Sequence, residues 1–258
     1  MRLLALMLAA SPLGAQVDWP KPEAVQGVDV VENLNERLPL DVALVDHEGH
    51  ATTPAQLVRG DLPVLVTPVY FGCSTLCPLT LNGVVGALKG SGLRLDEDYR
   101  IFTYSIDPQD GPAKAADRRL ELLHALGYPS GRPGWAFLTG DTRALSSALG
   151  FQYQYDEAAQ QWAHGAAVMV LTPDGRISRY LYGVQYPPRD LRLALVEASQ
   201  GRVGTAFDRV LLTCFRWDPN ARGYQFWVKG AVRAGGLITF AALAVFMGVL
   251  WRRERKSA

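Results

Sequence analysis

Two of the three cysteines in this 258-residue chain, Cys73 and Cys77, stand in the stretch YFGCSTLCPLT with three residues between them. A thiolate is both a nucleophile and a soft metal ligand, so the pair can hold a proton, close a disulfide or bind a cation. Two thiolates about 4 Å apart repel by ~4 kcal/mol at an effective dielectric of roughly 20, which excludes a free dianion. A bridge here closes a very small loop and stabilises little, so a purely structural disulfide does not account for the motif. A closed structural zinc site needs four ligands. On a regular helix the two Cβ atoms stand ~5–6 Å apart, beyond the ~3.8 Å of a disulfide, but a loop position for Cys73 relaxes that limit. The spacing leaves both disulfide and metal open.

A metal needs further donors, and the chain offers four histidines. His47 and His50 flank Glu48-Gly49 in DVALVDHEGHATT, which reads as a hairpin, and two histidines in such a turn read as solvated. His124 falls on an amphipathic stretch beside Leu122, Leu123 and Leu126. His164, in QQWAHGAAVMV, immediately precedes an apolar strand, and it is the candidate third partner of the cysteines if that strand enters next to them.

The elements that position these residues follow from local pattern. Residues 62–71, LPVLVTPVYF, form a nearly unbroken apolar, β-branched run that reads as a buried strand. Pro78 marks a helix start, and LTLNGVVGALKG continues it with Leu79, Val84 and Leu88 on or near one face, weakened by Gly83 and Gly86. Cys73 then lies in a strand-to-helix loop and Cys77 near a helix N-terminus, whose unpaired N–H groups stabilise a thiolate. Both sulfurs fall at the C-terminal edge of a strand, where open α/β sheets place their sites.

Further along, YRIFTYSID reads as a strand and 111–127 as a helix with Pro112 near its start and Gly127 at its end. GWAFLTG is a strand with a helix behind it running to Gly150. Residues 166–183 form a hairpin around Pro173-Asp174-Gly175, and PPRDLRLALVEASQ is a final helix. This α/β order is thioredoxin-like (peroxiredoxin-like), with the first hairpin as an N-terminal extension.

The ends carry a different signal. Residues 1–15 read as a secretory signal peptide. Residues 231–251 read as a transmembrane helix: the uncharged run from Ala234 to Trp251 is about 18 residues, or ~27 Å. Trp227 and Trp251 sit at interfacial positions, Lys229 and Arg233 on the near side. The tail 252–258 holds Arg252, Arg253, Arg255 and Lys256, which places it in the cytoplasm and the main domain outside. The expected organisation is linker 16–34, thioredoxin-like domain 35–200 and juxtamembrane segment 201–230. In an oxidising compartment two thiols form a disulfide unless they are kept reduced or occupied. A net charge of +1 gives no electrostatic case for nucleic acid. Cys214 reads either as a buried lone cysteine or as the donor of an intermolecular bridge.

Four stretches together, LPVLVTPVYFGCSTLCPLTLNGV, FTYSIDPQD, GWAFLTGDTRALSSALGFQYQY and HGAAVMVLTPDGRISRYLYG, resemble the SCO/SenC family over roughly residues 35–200. The resemblance implies copper held by Cys73, Cys77 and His164. It also implies a metallochaperone rather than an enzyme, acting in assembly of the copper-A site of cytochrome c oxidase subunit II. Two soft thiolates and a borderline imidazole suit Cu(I) and can hold Cu(II), and three ligands leave an open position from which a metal can be handed on. Two alternatives stay open. One is a thiol–disulfide oxidoreductase that uses Cys73 and Cys77 as a redox pair on the subunit's cysteines; the other is a copper or redox sensor. Expected partners are subunit II, other periplasmic copper chaperones or thiol reductants, and the membrane; the expected location is the extracytoplasmic face of a bacterial inner membrane. Asp107, in SIDPQD, reads either as an acidic group near the site or as a turn residue. Familiar members of the family carry an N-terminal anchor, so the C-terminal helix expected here is a departure, as is the Ser-Thr-Leu triplet between the cysteines.

Overall fold

Runs of apolar, β-branched and aromatic residues that cannot present a polar face become strands buried on both sides of one sheet. A computed structural model describes residues 27–128, 134–204, 215–218 and 223–226, and positions 236, 237, 239, 240 and 243. The central strands β3 (Val64–Val69), β4 (Arg100–Ser105) and β5 (Trp135–Thr139) run parallel. They are linked by the helices α1 (Leu76–Ser91) and α2 (Pro112–Leu126). On one side the sheet continues through the hairpin of β1 (Leu44–Asp46) and β2 (Ala51–Thr52), with β1 antiparallel to β5. On the other side, β8 (Ala167–Leu171) pairs antiparallel with β3 and with β9 (Ile177–Tyr182). The order is β2-β1-β5-β4-β3-β8-β9. Helix α3 (Arg143–Ala148) follows β5, and α4 (Pro188–Ser199) packs on α1, β8 and β9. This is the expected thioredoxin-like arrangement, with the first hairpin extending the sheet at its edge.

Buried polar side chains tie the central strands together, whereas the Thr80 hydroxyl and the His47 Nδ1 are buried without a hydrogen-bond partner. Thr67 and Thr103 share a hydroxyl hydrogen bond of 2.5 Å, and the Trp135 indole donates to Thr103 at 2.8 Å, tying β3, β4 and β5 together. Pro68 sits inside β3 yet breaks no pairing with β8, because that pairing covers only Val64 to Val66.

Three details differ from the sequence reading. Helix α1 begins at Leu76, so Pro78 is its third residue; a missing N–H costs nothing there, since the first-turn amides have no intrahelical partner. Leu79 is 57% exposed and is not on the core face. The buried stripe is Cys77, Leu81, Val84 and Leu88, spaced four, three and four residues apart, and Leu79 lies off it by about half a turn. The third is a hairpin absent from the sequence reading: β6 (Tyr153–Asp156) pairs antiparallel with β7 (Gln161–His164) as a separate two-stranded sheet.

Beyond Arg202 the chain forms a second unit, of which the structure describes the antiparallel pair β10 (Phe215–Asp218) and β11 (Gly223–Phe226) and the helical backbone positions from 236 to 243. The expected signal peptide, Cys214 and the basic tail lie outside the described residues, as does most of the expected span. Among the described residues no helix is long and apolar enough to cross a membrane.

Candidate metal centre

The cysteine turn is fixed from below. Past β3, the Cys73 amide donates to the Tyr70 carbonyl at 3.2 Å. The Phe71 amide donates to the Asp110 carboxylate at 2.6 Å, and Arg118 donates to the Phe71 carbonyl at 3.3 Å. Asp110 also accepts from the Ser105 hydroxyl at 2.6 Å and from Lys114 at 2.9 Å, and its side chain is wholly buried. It thus joins the ends of β3 and β4 to the start of α2. The sequence reading missed Asp110. Nothing in its local pattern separates it from Asp107, whose carboxylate accepts from the Gln109 amide at 2.9 Å and acts as a turn residue.

Cys73 and Cys77 are buried, at 4% and 2% exposure, and no bond joins their sulfurs. The Cys77 amide, in the first turn of α1, donates to the Cys73 sulfur at 3.4 Å. Cys73 is pulled down to about 4, first by its hydrogen bond with the Cys77 side chain. Burial opposes this; the amides of Cys77 and Thr75 and the Tyr70 phenol reinforce it. Cys77 is pushed up, by that same bond to Cys73 and then by burial. The two thiols therefore titrate as one pair, Cys73 the more acidic, as expected for sulfurs too close to ionise together.

His164, the last residue of β7, is brought to the cysteines across 87 positions of sequence: its Nε2 lies 3.3 Å from the Cys77 sulfur. Its Nδ1 is 2.8 Å from the Gly165 carbonyl. A carbonyl only accepts, so Nδ1 carries the hydrogen and Nε2 presents a bare lone pair to the sulfur. Burial holds the imidazole pKa below its usual value, which favours this neutral form. Tyr70 and Phe151 wall the ring, with centroids at 5.9 Å and 5.6 Å.

The other histidines stand apart. His50 is exposed, with Nδ1 3.4 Å from Glu48 and 3.7 Å from Asp46. Among the described residues, Asp46, Glu48 and His50 are the group of three or more ligand-type side chains whose donor atoms all lie within 4.8 Å of one another. His47 is not solvated as the turn suggested: its side chain is 14% exposed and its Nδ1 is buried without a hydrogen-bond partner. Pairing of β1 with β5 draws it into a cavity of about 490 Å³ lined also by Arg119 and Trp135. His124 is exposed.

Solved structures with this fold include a proposed electron transfer protein from Aquifex aeolicus VF5, 25% identical, with a TM-score of 0.56 over 66% of this chain and 96% of that one. The SCO1/SenC family lipoprotein of Bacillus anthracis str. Ames is 17% identical, with a TM-score of 0.52 over 66% and 99%. Arabidopsis thaliana ScoI, solved with copper bound, is 16% identical, with a TM-score of 0.50 over 62% and 96%. A comparison with curated proteins finds no match. The SCO1/SenC sequence profile matches residues 32–198, which covers the cysteine turn, the sheet and His164. The chain belongs to the SCO1/SenC family.

Proposed function

We propose that this protein carries one copper ion on Cys73, Cys77 and His164 and delivers it to the copper-A centre of cytochrome c oxidase subunit II. The observation that carries the reading is the donor set: two sulfurs and a bare imidazole nitrogen gathered in one buried cluster at the sheet edge. Such donors select Cu(I) and tolerate Cu(II), and three of them leave a position for the acceptor's ligand. Family membership and the copper held by Arabidopsis ScoI support the cargo. Loading displaces the Cys77 proton, because the ligand is the thiolate.

The protein works outside the cytoplasm, tethered by a helix over 231–251. The uncharged run before the basic tail supports this, as do the exposed Leu237, Phe240 and Leu243 on helical backbone. A second reading, thiol–disulfide exchange on the acceptor's cysteines, is favoured by the Cys73 thiolate beside a protonated Cys77.

Metal analysis of the reduced, copper-loaded full-length chain tests the first reading. The wild type should hold about one copper with thiolate-to-copper charge-transfer absorption, and His164→Ala should lose most of both. If the wild type takes up no copper yet cycles its cysteines with a thiol donor, the protein is a reductase.

A further inference from the structure

His164 ends a hairpin, β6–β7, that forms its own two-stranded sheet and takes no part in the seven-stranded one. An isolated pair of strands is marginally stable, so the aim of the imidazole depends on what grips the two ends of the hairpin. One stretch, residues 29–33, grips both. At the end that leads into β6, the Val31 amide donates to the Gly150 carbonyl at 2.8 Å and the Gln152 amide to the Asp29 carbonyl at 2.9 Å. Between these bonds Val30 pairs antiparallel with Phe151. Asn33 fastens the stretch to the end of α3, its side-chain amide donating to the Ala148 carbonyl at 3.0 Å. At the other end, the Val30 side chain backs Gly165: a Cβ at Gly165 would stand only 3.2 Å from the Val30 Cγ2. Both of these neighbours of Val30 hold the ring. Phe151 packs on the imidazole with centroids 5.6 Å apart, and the Gly165 carbonyl lies 2.8 Å from Nδ1.

We propose that Val30 is a positioning residue that holds the His164 imidazole with Nε2 aimed at the Cys77 sulfur. The proposal rests on the copper reading above for its metal-loaded consequences, but not for its metal-free one. The backbone of Val30 fixes Phe151 and its γ-methyl supports the Gly165 peptide, so the wall and the carbonyl that orient the ring are set from one residue. Among the described residues no hydrogen bond joins residues 29–33 to either cysteine, whose turn rests instead on Asp110 and the first turn of α1. Truncation of Val30 therefore loosens the nitrogen donor and leaves the two sulfurs in place. Two thiolates satisfy soft Cu(I) by themselves, whereas Cu(II) draws on the nitrogen. The action of Val30 falls on Cu(II).

Val30→Ala and Val31→Ala in the full-length chain make the same truncation at adjacent positions. Val31 is 49% exposed and holds Gly150 through its amide, which the substitution keeps. In chelator competition Val30→Ala should bind Cu(II) about tenfold more weakly, the scale of a lost support behind a ligand, with Cu(I) affinity unchanged. That raises the copper potential by ~59 mV. Val31→Ala should match the wild type for both ions. In the metal-free protein, long-range proton–nitrogen correlation NMR should find wild-type His164 protonated at Nδ1 alone. The Val30→Ala ring should divide between the Nδ1–H and Nε2–H tautomers. Val30→Ile, which keeps the γ-methyl, should restore both the Cu(II) affinity and the single tautomer.

A Val30→Ala variant that loses Cu(I) and Cu(II) affinity in equal measure overturns the proposal, because Val30 then supports the whole domain and not the imidazole. A variant that matches Val31→Ala in both affinity ratio and tautomer overturns it too. If the wild type binds no copper, the copper reading fails, and the tautomer of the metal-free Val30→Ala ring decides the role of Val30: a divided ring upholds it and a single Nδ1–H tautomer overturns it.

Discussion

Two places in this domain gather metal-ligating side chains, and they are built in opposite ways. At the β1–β2 turn, Asp46, Glu48 and His50 come from five consecutive residues, and their donor atoms crowd together in solvent. At the far end of the parallel strands, the buried Cys73 and Cys77 are joined by the half-buried His164, 87 residues beyond Cys77. By distance alone the hairpin is the tighter cluster. Its closeness is explained without any ligand, because an imidazole between two carboxylates, with the Asp46 carboxylate capping the Glu48 and His50 amides at 2.8 Å and 2.9 Å, is an ordinary solvated turn. The cysteine cluster has no such explanation. Burying two thiols and an imidazole costs chain entropy and desolvation, and their pairing couples the two ionisations and leaves one lone pair bare. Proximity among exposed charges is cheap; proximity among buried soft donors requires the fold to impose it.

That contrast can be broken by experiment. The largest effect is expected at the metal itself: Cys77→Ser should abolish copper uptake, whereas His50→Ala should leave copper per chain unchanged. The reverse pattern in metal analysis would move the site to the hairpin. The next concerns the support beneath each cluster. Asp110→Ala removes the acceptor of the Phe71 amide and the Ser105 hydroxyl, both at 2.6 Å, in a fully buried position. A loss of about 2–4 kcal/mol is expected in urea unfolding, and the cysteine turn should become accessible to alkylating reagents. A variant as stable as the wild type would show that the turn holds itself.

The smallest effects test how α1 carries Cys77. A Cβ at Gly83 would come within 2.1 Å of the Val184 carbonyl, so Gly83→Ala should destabilise by about 1–3 kcal/mol. Gly86 has nothing within 4 Å of a Cβ, and Gly86→Ala should stabilise by about 0.5–1 kcal/mol. Opposite signs in thermal unfolding would confirm that α1 is pressed onto the 184 loop at Gly83 and not at Gly86. From the sequence the two glycines looked alike, as weak points in a helix. The difference lies in what each faces, and that is non-local.

The same division runs through the site. Local pattern was enough to place Cys73 in a loop, Cys77 at a helix start and His164 ahead of a strand, because hydrophobic periodicity, proline and glycine act over a few residues. It was enough to order the parallel strands and helices as a thioredoxin-like domain. Leu79 was misjudged because a five-residue step from Val84 falls on another face of the helix, and hairpin β6–β7 was missed because QYQYDEAAQQWAH alternates too weakly to announce two strands.

Asp107 and Asp110 stand three residues apart in one short turn, yet only burial against β3, β4 and α2 makes the second a support. His47 and His50, equal in sequence, part because pairing of β1 with β5 turns one inward. The amino-acid sequence determined the donors and the elements that carry them, since residue type and short-range pattern are local properties. Only the tertiary structure decided which donors meet and which imidazole nitrogen is bare. Those outcomes depend on strand pairing and burial across nearly a hundred residues, which no local pattern encodes.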